Sequence, residues 1–423
     1  MEYFRGVFRV TAVYIIGIGM TAFGRFIDRP LRQLSEEAVT LALRDSGLSY
    51  QDINAVTFAN ATQGAMEGQF GIRGQVALRN LPFDAVPIVN VENACASAST
   101  ALQVAMMQVQ TGQADVALAI GAEKMCHPDA ALSMGAFQGS WDRADREHTL
   151  KRLASMAAAV PTPVDEQNHE SSRTVFMDIY AAFAKYHMGR FGTTQRQIAA
   201  VAAKNHQHSV ENPLSQYRKL FTIEEILESR LVAWPFTLPM CSPISDGAAA
   251  VVVCNERAIK RKATFSRAVS IRGFTLMNGG RREHHEVEKH ISRRAALSCY
   301  EASGVGPEDV DVVECHDATA FGEIQQSENL GFFAFGEGGP AAERGETSIG
   351  GAIPINPSGG LESKGHPIGA TGLGQVHELV TQLRGEAGRR QVDGARIALQ
   401  ENGGGLMGIE EAAVAVSILE ACR

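Results

Sequence analysis

The chain echoes itself without a gap. Ser35-Glu36-Glu37-Ala38, Ser46-Gly47, Asp52 to Val56 and Ala61-Thr62 lie over Ser292-Arg293-Arg294-Ala295, Ser303-Gly304, Asp309 to Val313 and Ala318-Thr319, at a constant offset of 257 residues. A second echo pairs Ala101-Leu102-Gln103-Val104 with Leu373-Gly374-Gln375-Val376, each ahead of an Ala-containing apolar run, Val116 to Ile120 and Ile397 to Leu399. Two echoes in the same order indicate a duplicated unit. Pro30 to Ser46, closed by Gly47, reads as a helix with proline first and glycine last. Around it, Ala12 to Ile16 and Ile53 to Phe58 read as strands, as do Val86 to Val89 (buried) and Ala248 to Cys254. Alternating strands and helices predict an α/β protein with mixed or parallel sheets covered by helices.

Between the copies the character changes. Residues 127–234 lack strand-like runs and are rich in Met, His, Arg and Gln. Trp141 to Arg173 reads as a long polar lid, followed by helices over Val175 to Met188 and Gln195 to Val210. The expected division is therefore 1–126 with 235–262 as a first half, 127–234 as a loop domain, and 263–423 as a second half, with a linker at Lys260 to Arg267. Lys185, Arg190, Lys204, Arg218 and Lys219 concentrate positive charge in the middle piece, either as a solvated face or as a patch for a phosphorylated ligand.

The whole chain, at 423 residues, can bury large cores. A net charge of −8 argues against a nucleic-acid binder, and no apolar run reaches membrane-spanning length. The Gly-punctuated run from Ala12 to Gly24 reads as a first strand behind a short extension rather than as a leader. Seven cysteines without a Cys-x-x-Cys pair point to a reducing cytoplasm, with neither zinc site nor disulfide framework. Arg281-Arg282-Glu283-His284-His285 reads as a solvated loop without metal.

Four stretches carry chemistry. Cys95 sits in Val91-Glu92-Asn93-Ala94-Cys95-Ala96-Ser97, between a strand and a helix, Ala101 to Thr111, that stops at Gly112. Unpaired N–H groups and the helix dipole at such a turn favour a thiolate, and the small neighbours leave room for a substrate. The competing reading is a packed core cysteine. His316 stands where the strand Val312-Val313-Glu314 ends, a usual place for site residues in such sheets. His366 lies inside Asn356-Pro357-Ser358-Gly359-Gly360 and Gly365-His366-Pro367, where the glycines imply tight turns and close approach. Gly360-x-x-x-x-Gly365 has phosphate-loop spacing, but His follows it instead of Lys and no strand precedes it. Gln400 to Gly405, directly after a strand, can offer backbone N–H groups to an anion.

Taken together, these motifs resemble the thiolase superfamily, and most closely its sterol-carrier-protein type and related bacterial and archaeal proteins. The resemblance runs from the first strand to the C-terminus and includes Ser242 with Asp246-Gly247-Ala248-Ala249, His316-Asp317 and Gly365-His366-Pro367-x-Gly369-Ala370-Thr371-Gly372. It implies two α/β halves in a layered α-β-α-β-α sandwich, a helical loop domain over the site, and a homodimer or dimer of dimers without an appended sterol-carrier domain. It implies an acyltransferase with an acyl-CoA thioester as substrate and no covalently bound cofactor. Cys95 would be the nucleophile, His366 its base, and His316 with His366 the holder of the second substrate's thioester oxygen. The N–H of Cys95 and one from Gly403 or Gly404 would form an oxyanion hole, with Ser242, Arg218 and Lys219 towards CoA.

The sequence departs from the family pattern at the second cysteine. Its two usual places hold Ala318 and Glu401 or Asn402, which leaves Glu401 as the candidate acid/base. Three alternatives follow: a subunit active only with a small acyl-CoA-binding partner, a carbon–carbon lyase of retro-aldolase type, or a non-catalytic acyl-CoA or lipid binder.

Overall fold

A computed structural model describes residues 11–166, 173–262 and 267–422. The N-terminal extension and the middle of the expected linker at Lys260 to Arg267 lie outside the described residues. In the first half, strand β1 (Val13–Met20) leads into helix α1 (Leu31–Ser46), then β2 (Ala55–Ala59), β3 (Ile88–Val91), α2 (Ser97–Gln110) and β4 (Val116–Glu123). The middle of the chain forms α3 (Arg146–Ala157), α4 (Val175–Phe191) and α5 (Gln195–Ser209), and β5 (Gly247–Asn255) closes the first half. The second half runs β6 (Val269–Asn278), α6 (Ile291–Ser303), β7 (Val312–Glu314), α7 (Ala320–Asn329), α8 (Thr371–Leu383), β8 (Ile397–Gly404) and β9 (Ala413–Ala421).

The repeat read from sequence is a repeat in space. One half orders its strands β1-β5-β4-β2-β3 and the other β6-β9-β8-β7, so β6 stands for β1 and β7 for β2. The parallel pairing Val56↔Ile88 of β2 with β3 recurs as an isolated parallel bridge Val313↔Ile355. Both repeated helices end at a left-handed glycine, Gly47 (φ 67°) and Gly304 (φ 69°), 257 positions apart. The two halves join along β1 and β6 through only two residue pairs, Tyr14↔Ser270 and Ile15↔Val269. Parallel pairs (β2 with β3 and β4, β7 with β8) sit beside antiparallel ones, so the sheet is mixed.

Alternating side chains build the layers. Leu118, Ile120 and Val252 face outwards onto Leu34, Ala38 and Ala42 of α1. From the same strands, Ala117, Ala119, Val251 and Val253 face inwards onto a core holding Ala98, Leu102 and Ala105 of α2 and Leu373, Val376 and Val380 of α8. Val312, Ala398 and Leu419 reach that core from the other half. Val313, Leu399 and Val416 turn outwards onto Ile291, Ala295 and Cys299 of α6. Helix, sheet, paired inner helices, sheet and helix therefore stack in five layers, and α2 and α8 bring the Cys95 and His366 segments to the centre.

Several expectations need correction. β3 begins at Ile88 and is the sheet's outer strand, so Val89 is 39% exposed instead of buried. Gln400 to Gly404 belongs to β8 itself. Its polar side chains are buried because they find partners: Gln400 donates to Ser99 Oγ (3.0 Å) and to the Gly372 carbonyl (2.8 Å). The expected polar lid from Trp141 to Arg173 contains α3, whose Leu153 and Met156 enter a core with Phe176, Phe183, Ile198 and Phe321, so that part is packed; its residues 167–172 lie outside the described residues. Residues 127–234 also hold a strand, Leu231–Ala233. Lys204 is buried against Glu323 (2.9 Å) and is not part of a solvated face. Arg282 is likewise buried, 2.5 Å from Glu410, within the segment read as a solvated loop.

Candidate active site

Cys95 lies in a single 3-10 turn, Ala94–Ala96, and α2 starts only at Ser97. Ala94 takes φ 47°, a left-handed conformation that costs a residue with a Cβ on the order of 1–3 kcal/mol. Its neighbours hold it there: Ser97 Oγ donates to the Ala94 carbonyl (2.6 Å) and accepts from the Asn93 N–H (2.9 Å). β8 comes so close to this turn that a Cβ on Gly404 would overlap Asn93 O and lie 2.5 Å from Ala96 N. The chain then turns at Gly405 (φ 65°), whose N–H points at the Cys95 sulfur, as does the N–H of Cys95 itself. The N–H facing the sulfur is thus that of Gly405. Gly403 and Gly404, one of which was expected to complete an oxyanion hole with the Cys95 N–H, pair with Val414 and Ala413. Gly404→Ala should push β8 off the turn, costing about 1–3 kcal/mol in denaturant unfolding and slowing reaction at Cys95. Wild-type stability and reactivity would contradict this.

His366 is placed by its own loop. Its N–H donates to Ser245 Oγ (3.0 Å), and the Gly369 N–H donates to Glu123 Oε2 (2.9 Å), tying the loop to the first half. Thr371 Oγ1 donates to the Pro367 carbonyl (3.1 Å) and therefore accepts from His366 Nδ1 (2.7 Å). That fixes the proton on Nδ1 and leaves the Nε2 lone pair free to take another. His316 follows β7. Its N–H donates to Glu401 Oε2 (3.0 Å), and its Nε2 is buried without a partner. Asp317 ties this turn to the glycine-rich loop by accepting from the Leu361 N–H (2.8 Å).

Cys95 Sγ and one ring nitrogen each of His316 and His366 lie within 4.8 Å of one another, and the two rings meet edge to face at 5.2 Å. Burial leaves all three uncharged. The Cys95 thiol is pushed up to about 12, with Glu123 and Glu92 adding to burial against the two N–H groups. His316 is pushed down to about 4, and His366 well below the usual imidazole value by burial and by its neighbours His316 and Lys364. Desolvation thus opposes the turn's N–H groups, which on their own favour a thiolate. Alkylation by iodoacetamide should therefore climb steadily with pH from 7 to 9, since thiolate is scarce below a pKa of about 12. A plateau in that range would reveal a resting thiolate. A cysteine with two histidines is also a donor set that can hold a metal, and Thr371 on His366 Nδ1 leaves that ring's Nε2 free, while among the described residues no carboxylate hydrogen-bonds the His316 ring.

Residues 13–225 match the thiolase N-terminal domain family and residues 281–419 the thiolase C-terminal domain-like family. The chain is a member of the thiolase family. It is 36% identical to bovine (Bos taurus) sterol carrier protein 2 over 92% of this chain and 69% of that one. It is 35% identical to an acetyl-CoA acetyltransferase of Methanothermobacter thermautotrophicus, over 94% and 97% of the two chains. Its fold matches that of an Ltp2-ChsH2(DUF35) aldolase with TM-score 0.75 and 24% identity, covering 97% and 98%. The sandwich expected from the motifs is the thiolase fold, and the enzyme class is that of a thiolase-type acyltransferase.

This thiolase opens Cys95 and His366 to a cavity of about 480 Å³, whose wall also includes Ser242 and Ala318. Ser242 donates its N–H to the Ala318 carbonyl (3.0 Å). Arg218 and Lys219 lie off this wall. Arg218 donates to the Val210 carbonyl (2.9 Å), and the Lys219 ammonium sits 4.5 Å over the Phe221 ring. The arginines that do line the cavity are Arg25, Arg173 and Arg230, and no Asp or Glu among the described residues joins them. Glu401 is pushed up to about 8 by burial and by Glu411, but it does not face the cavity. One of its oxygens serves the His316 N–H and the other Ser292 Oγ (3.1 Å), so the structure makes it a brace for His316. The sequence offered no sign of Glu411, which packs on Gly403 and is pushed up to about 7 by burial, with Oε2 3.5 Å from His290 Nε2.

Proposed function

We propose that this thiolase takes an acyl group from a CoA thioester onto Cys95 and passes it to a second acyl-CoA, or runs the reverse thiolysis. The meeting of Cys95, His316 and His366 within 4.8 Å, with Cys95 and His366 on the wall of one cavity, carries this reading. As Sγ attacks the thioester carbonyl, its proton moves to His366 Nε2. The oxyanion accepts from the N–H groups of Cys95 and Gly405. Collapse breaks the bond to CoA sulfur, and His366 returns the proton to that sulfur. His316 Nε2, unpartnered in the free protein, then donates to the thioester oxygen of the second substrate.

In this reading CoA is a substrate, and the arginine-lined, acid-free cavity suits its phosphates better than Arg218 and Lys219 do. Residues 127–234 act as the loop domain between the halves 1–126 with 235–262 and 263–423. A second copy of the chain would cover the outer strand β3, where Val89 and the nearby Phe70 and Ile72 are exposed. All seven cysteines are free thiols, as a cytoplasmic location requires. No described helix is long and apolar enough to cross a membrane. A small acyl-CoA-binding partner is the second reading. It is favoured by the absence, among the described residues, of a cavity carboxylate for the carbon–carbon step and by the DUF35 component named in the similar aldolase structure. The test is protein mass after mixing with an acyl-CoA. It should rise by one acyl group in the wild type and not in Cys95→Ala, and an unchanged wild-type mass defeats the proposal.

A further inference from the structure

The cavity must hold the acyl group beside the CoA arm, and its lining combines polar with aromatic residues. About 480 Å³ falls within the range that encloses a drug-sized ligand. Ser242, Pro243 and Gln216 share the cavity wall with Cys95. Met134, Phe137, Phe176, Met177 and Tyr180 also line it, with Phe137, Phe176 and Tyr180 in contact with one another. Phe137 belongs to a turn, Ala136–Gly139, that runs into Ser140, and the Ser140 carbonyl accepts from the Leu406 N–H (2.9 Å). The same carbonyl lies 3.0 Å from where a Cβ on Gly405 would sit. An acyl group on Cys95, with its carbonyl oxygen at the Gly405 N–H, therefore lies beside this aromatic wall.

The wall is stiff and already built. Phe137 and Phe176 meet edge to face at 6.5 Å, Phe176 and Tyr180 lie 6.1 Å apart, and Tyr180 meets Phe183 edge to face at 6.5 Å. Phe176, Tyr180 and Phe183 recur along one face of α4, and Phe176 and Phe183 anchor the row in the buried core. Phe137, Met177 and Tyr180 are only partly buried, and they border the empty space. Ring edges and thioether sulfurs are the groups that best receive another aromatic ring.

We infer that the acyl group carried on Cys95 bears an aromatic ring, seated against Phe137, Phe176 and Tyr180. This rests on the proposed acyl transfer through Cys95 and names the substrate class for it. The test compares Cys95 acylation by acetyl-CoA, octanoyl-CoA and phenylacetyl-CoA in rapid-quench mass spectrometry, the last two having equal numbers of acyl carbons. Phenylacetyl-CoA should acylate at least about 10-fold more efficiently than either of the others. Phe176→Ala and, as a milder change, Phe137→Leu should reduce that preference while sparing acetylation by comparison. Equal rates for octanoyl- and phenylacetyl-CoA, or faster acetylation, would overturn the aromatic assignment while leaving Cys95 acyl transfer intact. No acylation by any of the three would overturn both.

Discussion

His366→Ala should slow acylation of Cys95 by on the order of 100-fold or more, whereas His316→Ala should acylate almost normally. The thiol, with a pKa of about 12, ionises only as a base removes its proton. His366 is suited to that task because Thr371 holds its other nitrogen protonated and burial keeps the ring neutral. His316 offers an unpartnered Nε2, so its loss should appear when the second thioester must be bound and polarised. Transfer in His316→Ala should fall by on the order of 100-fold. Rapid-quench mass spectrometry for acylation, with product formation for transfer, separates the two steps. Equal damage to both steps in both variants would refute this division of labour.

The second large effect concerns the carbon–carbon step. A positioned acid/base contributes roughly 100- to 10,000-fold; among the described residues no carboxylate lines the cavity, and burial pushes up the thiols of its other two cysteines, Cys126 and Cys241. Both oxygens of Glu401 are occupied by Ser292 and His316, away from the cavity. The isolated chain should therefore acylate readily yet cleave a 3-ketoacyl-CoA slower by a factor in that range. Ala318 lines the cavity beside Cys95, so Ala318→Cys should restore much of the rate. Glu401→Gln should act mainly through His316, lowering transfer without abolishing acylation. Fast thiolysis by the wild type, insensitive to both changes, would show that His316 or water supplies the proton transfer.

How far the sequence could be read follows from what each residue depends on. The duplicated helices, their glycine ends and the sequence-adjacent motifs of Cys95, His316 and His366 are local signals, and they survive folding unchanged. What could not be read depends on long-range contacts. Which glycine N–H faces Cys95 is decided by where β8 leaves its ladder, one residue beyond Gly404. Polar Gln400 to Asn402 read as a loop because their partners, Ser99, Ser292 and the His316 N–H, lie far away in sequence. Lys204 read as a surface charge until Glu323 and the Ile355 carbonyl appeared beside it. The balance at the Cys95 sulfur is only half legible in sequence, because a turn's N–H groups are local, whereas the burial that opposes them is made by the whole fold.

The central claim is that Cys95, and no other cysteine, carries the acyl group. Cys126 and Cys241 line the same cavity, so the distinction is a real one. The most direct measurement is peptide mapping of the protein after brief mixing with acyl-CoA thioesters, repeated after a chase with free CoA. The account predicts one acyl adduct, on the peptide holding Cys95, removed by the chase and absent from Cys95→Ala. An adduct on Cys126 or Cys241, or one on Cys95 that free CoA cannot remove, would contradict it.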